Sequence, residues 1–288
     1  MHGSGSLQYY NGTFDVARGM AAKEPFLVVT INYRLQSLGF LGSAKHLASK
    51  DGSTGVWGLL DQRLAMQWVQ DHIGAFGGDK ETVFVVGESA GAGSVTCHTV
   101  MEGSKGLMRR AGAESGLFAD WVTKSVDNAE DTFNALASAV GCDKEKEVRK
   151  CLENVDAKKL IDQGEALPPA ADGDLPWAPV VDGVELKEAP WKTVQKGGEV
   201  HPNEILFGSN RDEGYSFMPS EVTQNLTEAG LVILLKTGMG MNDQQVNQAL
   251  SIYNPASFNQ TKCCTPSYWA AVRIIGDKSI SCPSLVAA

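Results

Sequence analysis

Val83-Phe84-Val85-Val86-Gly87-Glu88-Ser89-Ala90-Gly91-Ala92-Gly93 is the stretch on which the fold turns. Four apolar residues, long enough for a buried strand, run into Gly-x-Ser-x-Gly, and small residues compatible with a helix follow. A strand that bends sharply into a helix strains the residue at the bend, and flanking glycines remove the side chains that would collide there. This places Ser89 at the bend as a nucleophile with its hydroxyl raised toward solvent. A structural glycine turn is the alternative, and the strand before and small residues after weigh against it. A phosphate loop fails because no lysine follows Gly93 at the needed place.

Upstream, Leu64, Trp68, Ala65, Val69 and Ile73 recur at helical spacing, with Asp61 in the first turn, where a negative charge suits the dipole. Gly77-Gly78-Asp79 ends that helix. Phe26 to Tyr33 is β-branched, aromatic and nearly continuously apolar, the pattern of a strand covered on both faces. Leu38 to Trp57 reads as loop. Strand, helix, strand, sharp turn and helix is the grammar of a parallel sheet covered by helices, so the class is α/β.

Downstream, Asn128 to Val140 and Lys144 to Asn154 read as amphipathic helices, with Cys142 and Cys151 close enough to close a small loop, although spacing leaves their connectivity open. The proline-rich stretch from Leu167 to Pro190 reads as an ordered excursion, because Trp177, Val180 and Val181 need burial. Glu204 to Gly208 is a short strand, with Ser209 to Gly214 at its carboxyl end, the edge where open α/β sheets bind ligands. Glu221 to Lys236, Asn242 to Tyr253 and a last stretch from Ser267 toward Pro283 read as helices.

The 288 residues can bury a large core, and 43% hydrophobic with 20% charged residues is an ordinary globular composition. A net charge of -9 argues against a nucleic-acid surface, and no apolar run reaches membrane-spanning length. Six cysteines and the acceptor tripeptides at Asn11, Asn225 and Asn259 suggest a secreted glycoprotein, yet Met1 to Ser6 is no signal peptide.

Asp61 to Gln70, Ala75-Phe76-Gly77-Gly78-Asp79 and Gly87-Glu88-Ser89-Ala90-Gly91 together resemble the type-B carboxylesterase family, which includes the cholinesterases. The likeness extends through Asn32-Tyr33-Arg34, Leu38-Gly39-Phe40-Leu41, Pro179 to Gly183, and Tyr268-Trp269 to Cys282-Pro283. It implies an incomplete α/β-hydrolase fold, as a single partial domain over 1–288, and a serine carboxylesterase acting on small-molecule esters through an acyl-enzyme, with no metal or organic cofactor. By the same resemblance Ser89 is the nucleophile, the N–H of Ala90 an oxyanion donor, and Glu213 the acid that orients a histidine. Glu88 matches a buried carboxylate beside the nucleophile, and Ser115 a second serine near it. Trp121, Gly173 and Leu175 fall in the substrate pocket, where the small Gly173 and Leu175 imply a wide acyl side. Cys142 and Cys151 match a disulfide of the family, Cys282 pairs with Cys263 or Cys264 in some relatives, and Cys97 is a buried free thiol.

Two departures qualify the likeness. The partners of this fold follow in the order Ser, acid, His, but His2, His46, His72, His98 and His201 all precede Glu213, and none lies at the family's histidine motif. His2-Gly3-Ser4-Gly5 resembles an oxyanion loop, yet residues 3–12 match better the stretch that follows those glycines. The chain is therefore expected to be an internal segment lacking the oxyanion-loop and histidine regions, and inactive alone. Arg34, which family members bury against an acid from that earlier region, must find a substitute carboxylate or turn to solvent. A non-catalytic adhesion module of cholinesterase-like fold is the alternative, and retention of Ser89 and Glu213 argues against it.

Overall fold

The computed structural model describes residues 11–168, 175–219, 222, 224–258 and 263–286. The described chain divides into two compact units, one running to Phe207 and the other from Gly208 to Val286. The first begins with helices α1 (Thr13–Ala21), α2 (Gln36–Phe40) and α3 (Trp57–His72). Strand β1 (Phe84–Glu88) leads into α4 (Ala90–Val100), and β2 (Arg110–Glu114), α5 (Val126–Val140), α6 (Val148–Glu153), α7 (Ala157–Glu165), α8 (Pro190–Gln195) and β3 (Ile205–Gly208) follow. The strands form one sheet in the order β1-β2-β3, and β1 pairs with β2 in parallel from Phe84↔Arg110 to Glu88↔Glu114. Parallel pairing requires a crossover between the strands, which α4 supplies.

Two expectations change here. Phe26 to Tyr33 is assigned neither helix nor strand, and Phe26, Leu27, Val28 and Val29 are exposed. Their β-branched content reports side-chain preference for a pleated surface and does not supply a backbone ladder. The strand before Ser89 is present but not buried. As the edge strand, β1 turns Phe84, Val86 and Glu88 toward one open face, since alternate residues share a side.

α3 forms as read, but with another face inward. Leu64 is 70% exposed and Trp68 44%, while Leu59, Gln62 and Met66 are buried. The core beside α3 gathers Phe40, Val56, Leu59, Cys97, Met101, Val122 and Leu186. A second core holds Leu41, Phe133, Leu136, Val140 and Leu152 beside the Cys142–Cys151 disulfide, whose Cα atoms are 5.7 Å apart. α5 starts at Ser125, whose side chain accepts from the Asn128 N–H, and stops at the left-handed Gly141.

The proline-rich excursion is ordered where described. Val180 is fully buried and forms an isolated parallel bridge with Lys124, with Trp177 and Val181 half-buried. Lys124 is itself buried, donating to the Pro176 carbonyl at 2.6 Å and to Thr132 Oγ1 at 3.2 Å. Arg34 meets its prediction on both counts: its side chain is half exposed, and it grips Asp61 through Nε at 2.8 Å and Nη2 at 2.7 Å. That hydrogen bond holds the Asp61 carboxyl below its usual range.

The second unit comprises α9 (Glu228–Ile233), α10 (Asp243–Ile252), α11 (Pro266–Gly276) and α12 (Cys282–Val286) around Leu231, Leu235, Val246, Ala270, Ala271 and Ile274. α9 starts only at Glu228, where Thr227 caps it, and α10 carries a capping box between Asn242 and Gln245. The last helical stretch continues across Pro283, which a first-turn position tolerates. Cys282 is free and exposed; Cys263 and Cys264 are also unbonded to it, their sulfurs 2.9 Å from each other.

Opening the Cys142–Cys151 bridge by paired serine substitution is expected to destabilise the first unit by roughly 2–3 kcal/mol, the chain-entropy value for so short a loop. Urea unfolding with tryptophan fluorescence would measure it.

Candidate active site

Ser89 has φ 54° and ψ -121°, a backbone state that side-chain-bearing residues rarely hold. Three contacts enforce it. The Ser89 N–H donates to the Glu114 carbonyl at 2.9 Å, extending the β1–β2 register by one residue, and the Gly93 N–H donates to the Ser89 carbonyl at 3.0 Å. The turn then folds α4 back against β1 so tightly that a Cβ on Gly87 would lie 2.2 Å from the Gly91 carbonyl oxygen. Only glycine fits at that position. Ser89 is consequently the N-cap of α4, partly exposed, with Ala90 exposed beside it. The first-turn N–H groups of a helix lack intrahelical acceptors and carry its positive dipole end.

The register brings Ser115 to the same place, because Glu88 lies opposite Glu114. Ser115 is buried and has φ 59°, a second left-handed bend at the end of the neighbouring strand. Gly116 follows, where an added Cβ would approach the Ser89 carbonyl at 2.9 Å and the Trp121 ring at 3.2 Å. Ser89, Ala90, Ser115 and the half-buried Trp121 are thus gathered around one bend. Glu88 is exposed, contrary to its expected burial, because it shares the open face of β1 with Phe84 and Val86. Leu175 is also exposed, and Gly173 lies outside the described residues.

Glu213 belongs to the second unit, where it opens a short 3-10 turn, Glu213–Phe217. Its Oε1 accepts from the Asn210 N–H at 2.6 Å, closing the Asn210-Arg211-Asp212-Glu213 loop. Gly214 lies against α11, since a Cβ there would meet the Val272 carbonyl at 2.0 Å. The Arg273 Nε–Asp212 Oδ1 pair at 2.7 Å ties the same loop to the same helix.

Each described histidine has surroundings of its own. His46 stacks on Phe133 at 5.1 Å, His72 tilts against Trp68 at 5.2 Å, and His201 Nε2 lies 3.3 Å from the Met101 carbonyl. His98 is fully buried, with Nδ1 2.8 Å from Ser104 Oγ and Nε2 3.0 Å from Gln62 Oε1. Burial, and secondarily the Arg63 charge, push its pKa down to about 3. Cys97 is buried and free, as expected, and burial pushes its thiol up. The sequence offers no local signal for Gln62 and His98, whose contact joins positions 36 apart in the chain.

These features can be set beside known proteins. The model of the carboxylesterase family matches residues 1–288. The chain belongs to the carboxylesterase family. The fold is accordingly the α/β-hydrolase fold, represented here by a small parallel sheet with helices. It is 38% identical to a Mus musculus cholinesterase over 220 residues, which is 75% of the chain and 35% of the relative. It is likewise 38% identical to a Danio rerio acetylcholinesterase over 75% of the chain and 33% of the relative. A Gallus gallus acetylcholinesterase is 41% identical over 192 residues, 65% of the chain and 24% of the relative. The chain thus spans about a third or less of the length of these relatives.

Two measurements check the site. Gly87→Ala should cost about 1–3 kcal/mol or more by forcing β1 and α4 apart, read as a lowered urea midpoint. An unfolded histidine titrates near 6.5. From there down to about 3 the unfolded chain binds a proton that native His98 refuses. Stability should therefore fall as pH drops below 6.5, by about 1.4 kcal/mol per unit from this group. His98→Gln should flatten that part of the slope.

Proposed function

We propose that the chain carries the nucleophile and the orienting acid of a carboxylic ester hydrolase acting on small-molecule esters. The observation that carries this reading is the strained backbone of Ser89 at the N-cap of α4, beside the exposed Ala90. A serine hydroxyl needs a base to take its proton and N–H donors to stabilise the oxyanion that follows. Ser89 Oγ attacks the ester carbonyl, the tetrahedral oxyanion accepts the Ala90 N–H, and the alcohol leaves with a proton. Water then releases the acid from the acyl-enzyme by the same route.

The base in this proposal is a histidine outside the 288 residues, oriented by Glu213. All five histidines of the chain precede Glu213, and both ring nitrogens of His98 are already engaged. On this reading Trp121, which lies against Gly116, and Leu175 belong to the substrate pocket. Secretion and glycosylation are part of the same reading, supported by the Cys142–Cys151 bridge and by the exposed acceptor residues Asn11 and Asn225. Asn259 lies outside the described residues.

In a longer protein that supplies the histidine, Ser89→Ala should lower kcat for p-nitrophenyl acetate by roughly 10^4- to 10^6-fold. The 288-residue chain alone should turn over no faster than its own Ser89→Ala variant. Serine-dependent turnover by that chain would relocate the base to within it, and an unaffected Ser89→Ala enzyme would remove Ser89 from the mechanism.

A further inference from the structure

Under the elbow, four buried or half-buried polar side chains form a connected series that ester hydrolysis as described above does not use. Gln62 Oε1, which can only accept, lies 3.0 Å from His98 Nε2, so Nε2 carries the proton. His98 Nδ1 is then the acceptor for the Ser104 hydroxyl at 2.8 Å. At the other end of the amide, Gln62 Nε2 donates to Ser94 Oγ at 3.1 Å. The Ser94 hydroxyl donates to the Ala90 carbonyl, also at 3.1 Å. All four bonds point one way, from Ser104 through His98, Gln62 and Ser94 to Ala90.

Gln62, His98 and Ser104 are fully buried, so water cannot replace a lost partner, and aligned bonds polarise one another. Ala90 is the first residue of α4, where the N–H has no intrahelical acceptor. The peptide plane before its Cα is tied to Ser89, and the plane after it is held through the Ala90 carbonyl, which takes the Ser94 hydroxyl in addition to the helical i+4 N–H.

We propose that Gln62 is a positioning residue for the oxyanion donor: acting through Ser94 it fixes the Ala90 carbonyl, while His98 and Ser104 fix Gln62. The inference rests on the reading of Ser89 as nucleophile and of the Ala90 N–H as oxyanion donor. The direction of the chain also requires His98 to stay neutral, which its buried setting beside Arg63 favours.

Nitrogen-15 NMR of the 288-residue chain tests this without any turnover. His98 should show the neutral Nε2–H tautomer from pH 8 to pH 5. Gln62→Glu keeps the shape but cannot donate to Ser94; the Ser94 proton then turns to the carboxylate, the Ala90 and Gly91 amide signals shift, and His98 becomes cationic. Ser104→Ala buries no new charge, so it serves if Gln62→Glu does not fold, and it should shift the same two amide signals by a smaller amount. An Nδ1–H tautomer, titration near the ordinary 6.5, or unmoved Ala90 and Gly91 signals in the folded variants would overturn the proposal. In a longer, active protein Gln62→Glu should lower kcat about tenfold at constant KM, as expected for a lost transition-state contact; a rise in KM alone would contradict it. If Ser89→Ala leaves that activity intact, the hydrolase reading fails and the NMR result stands. If Ser89 is required and the tautomer is reversed, only the positioning role fails.

Discussion

The contact on which the rest of the first unit depends is the approach of Gly87 to the Gly91 carbonyl, too close for any side chain at position 87. It sets the angle between β1 and α4, and that angle forces Ser89 into its left-handed state. Holding one residue there costs on the order of 1–3 kcal/mol. The bond from Ser89 N–H to the Glu114 carbonyl and that from Gly93 N–H to the Ser89 carbonyl offset part of this, and both depend on the β1–β2 register. A one-residue slip would lose them, and would also carry Ser115 away from Ser89. The register and the elbow are therefore one constraint expressed twice.

That dependence explains what was legible in the sequence. The bend is local, written in glycines two residues either side of Ser89, and the Ser89 geometry follows from it. The exposure of Glu88 is not local. It depends on which neighbours cover one face of β1, and alternation alone cannot say whether a face is covered. Phe26 to Tyr33 fails for a related reason, since side-chain preference describes a pleated surface and a strand needs a paired backbone. Glu213 lay further beyond reach: a carboxylate in a polar loop looks solvated, and only the family resemblance singled it out.

α3 shows the same limit from the other side. Its period was plain, but the inward face was misjudged because Leu64 and Trp68 outweigh Gln62 in apolarity. Burying a glutamine is unfavourable unless its donors and acceptor are met. Gln62 accepts from His98, 36 positions later in the chain, and donates to Ser94, 32 positions later. No pattern within the helix encodes partners that distant. The apolar residues left outside accord with this, since half or more of a folded surface is apolar in any case.

Which interaction then seats α3 can be settled by magnitude. Asp61 and Gln62 are adjacent, one facing Arg34 and the other His98. The Arg34–Asp61 pair has good two-point geometry, but the arginine is half exposed, and an exposed pair contributes at most about 1 kcal/mol. Leu59 and Met66 are buried on the same helix, and each buried side chain of that size contributes about 1.5–3 kcal/mol. Breaking the bonds of Gln62 would cost about 1–3 kcal/mol for each buried group left unmet. The inner face therefore dominates, and Arg34 follows the helix rather than placing it. The position of α3, and through Gln62 and Ser94 that of the Ala90 carbonyl, is set from within the core of the first unit.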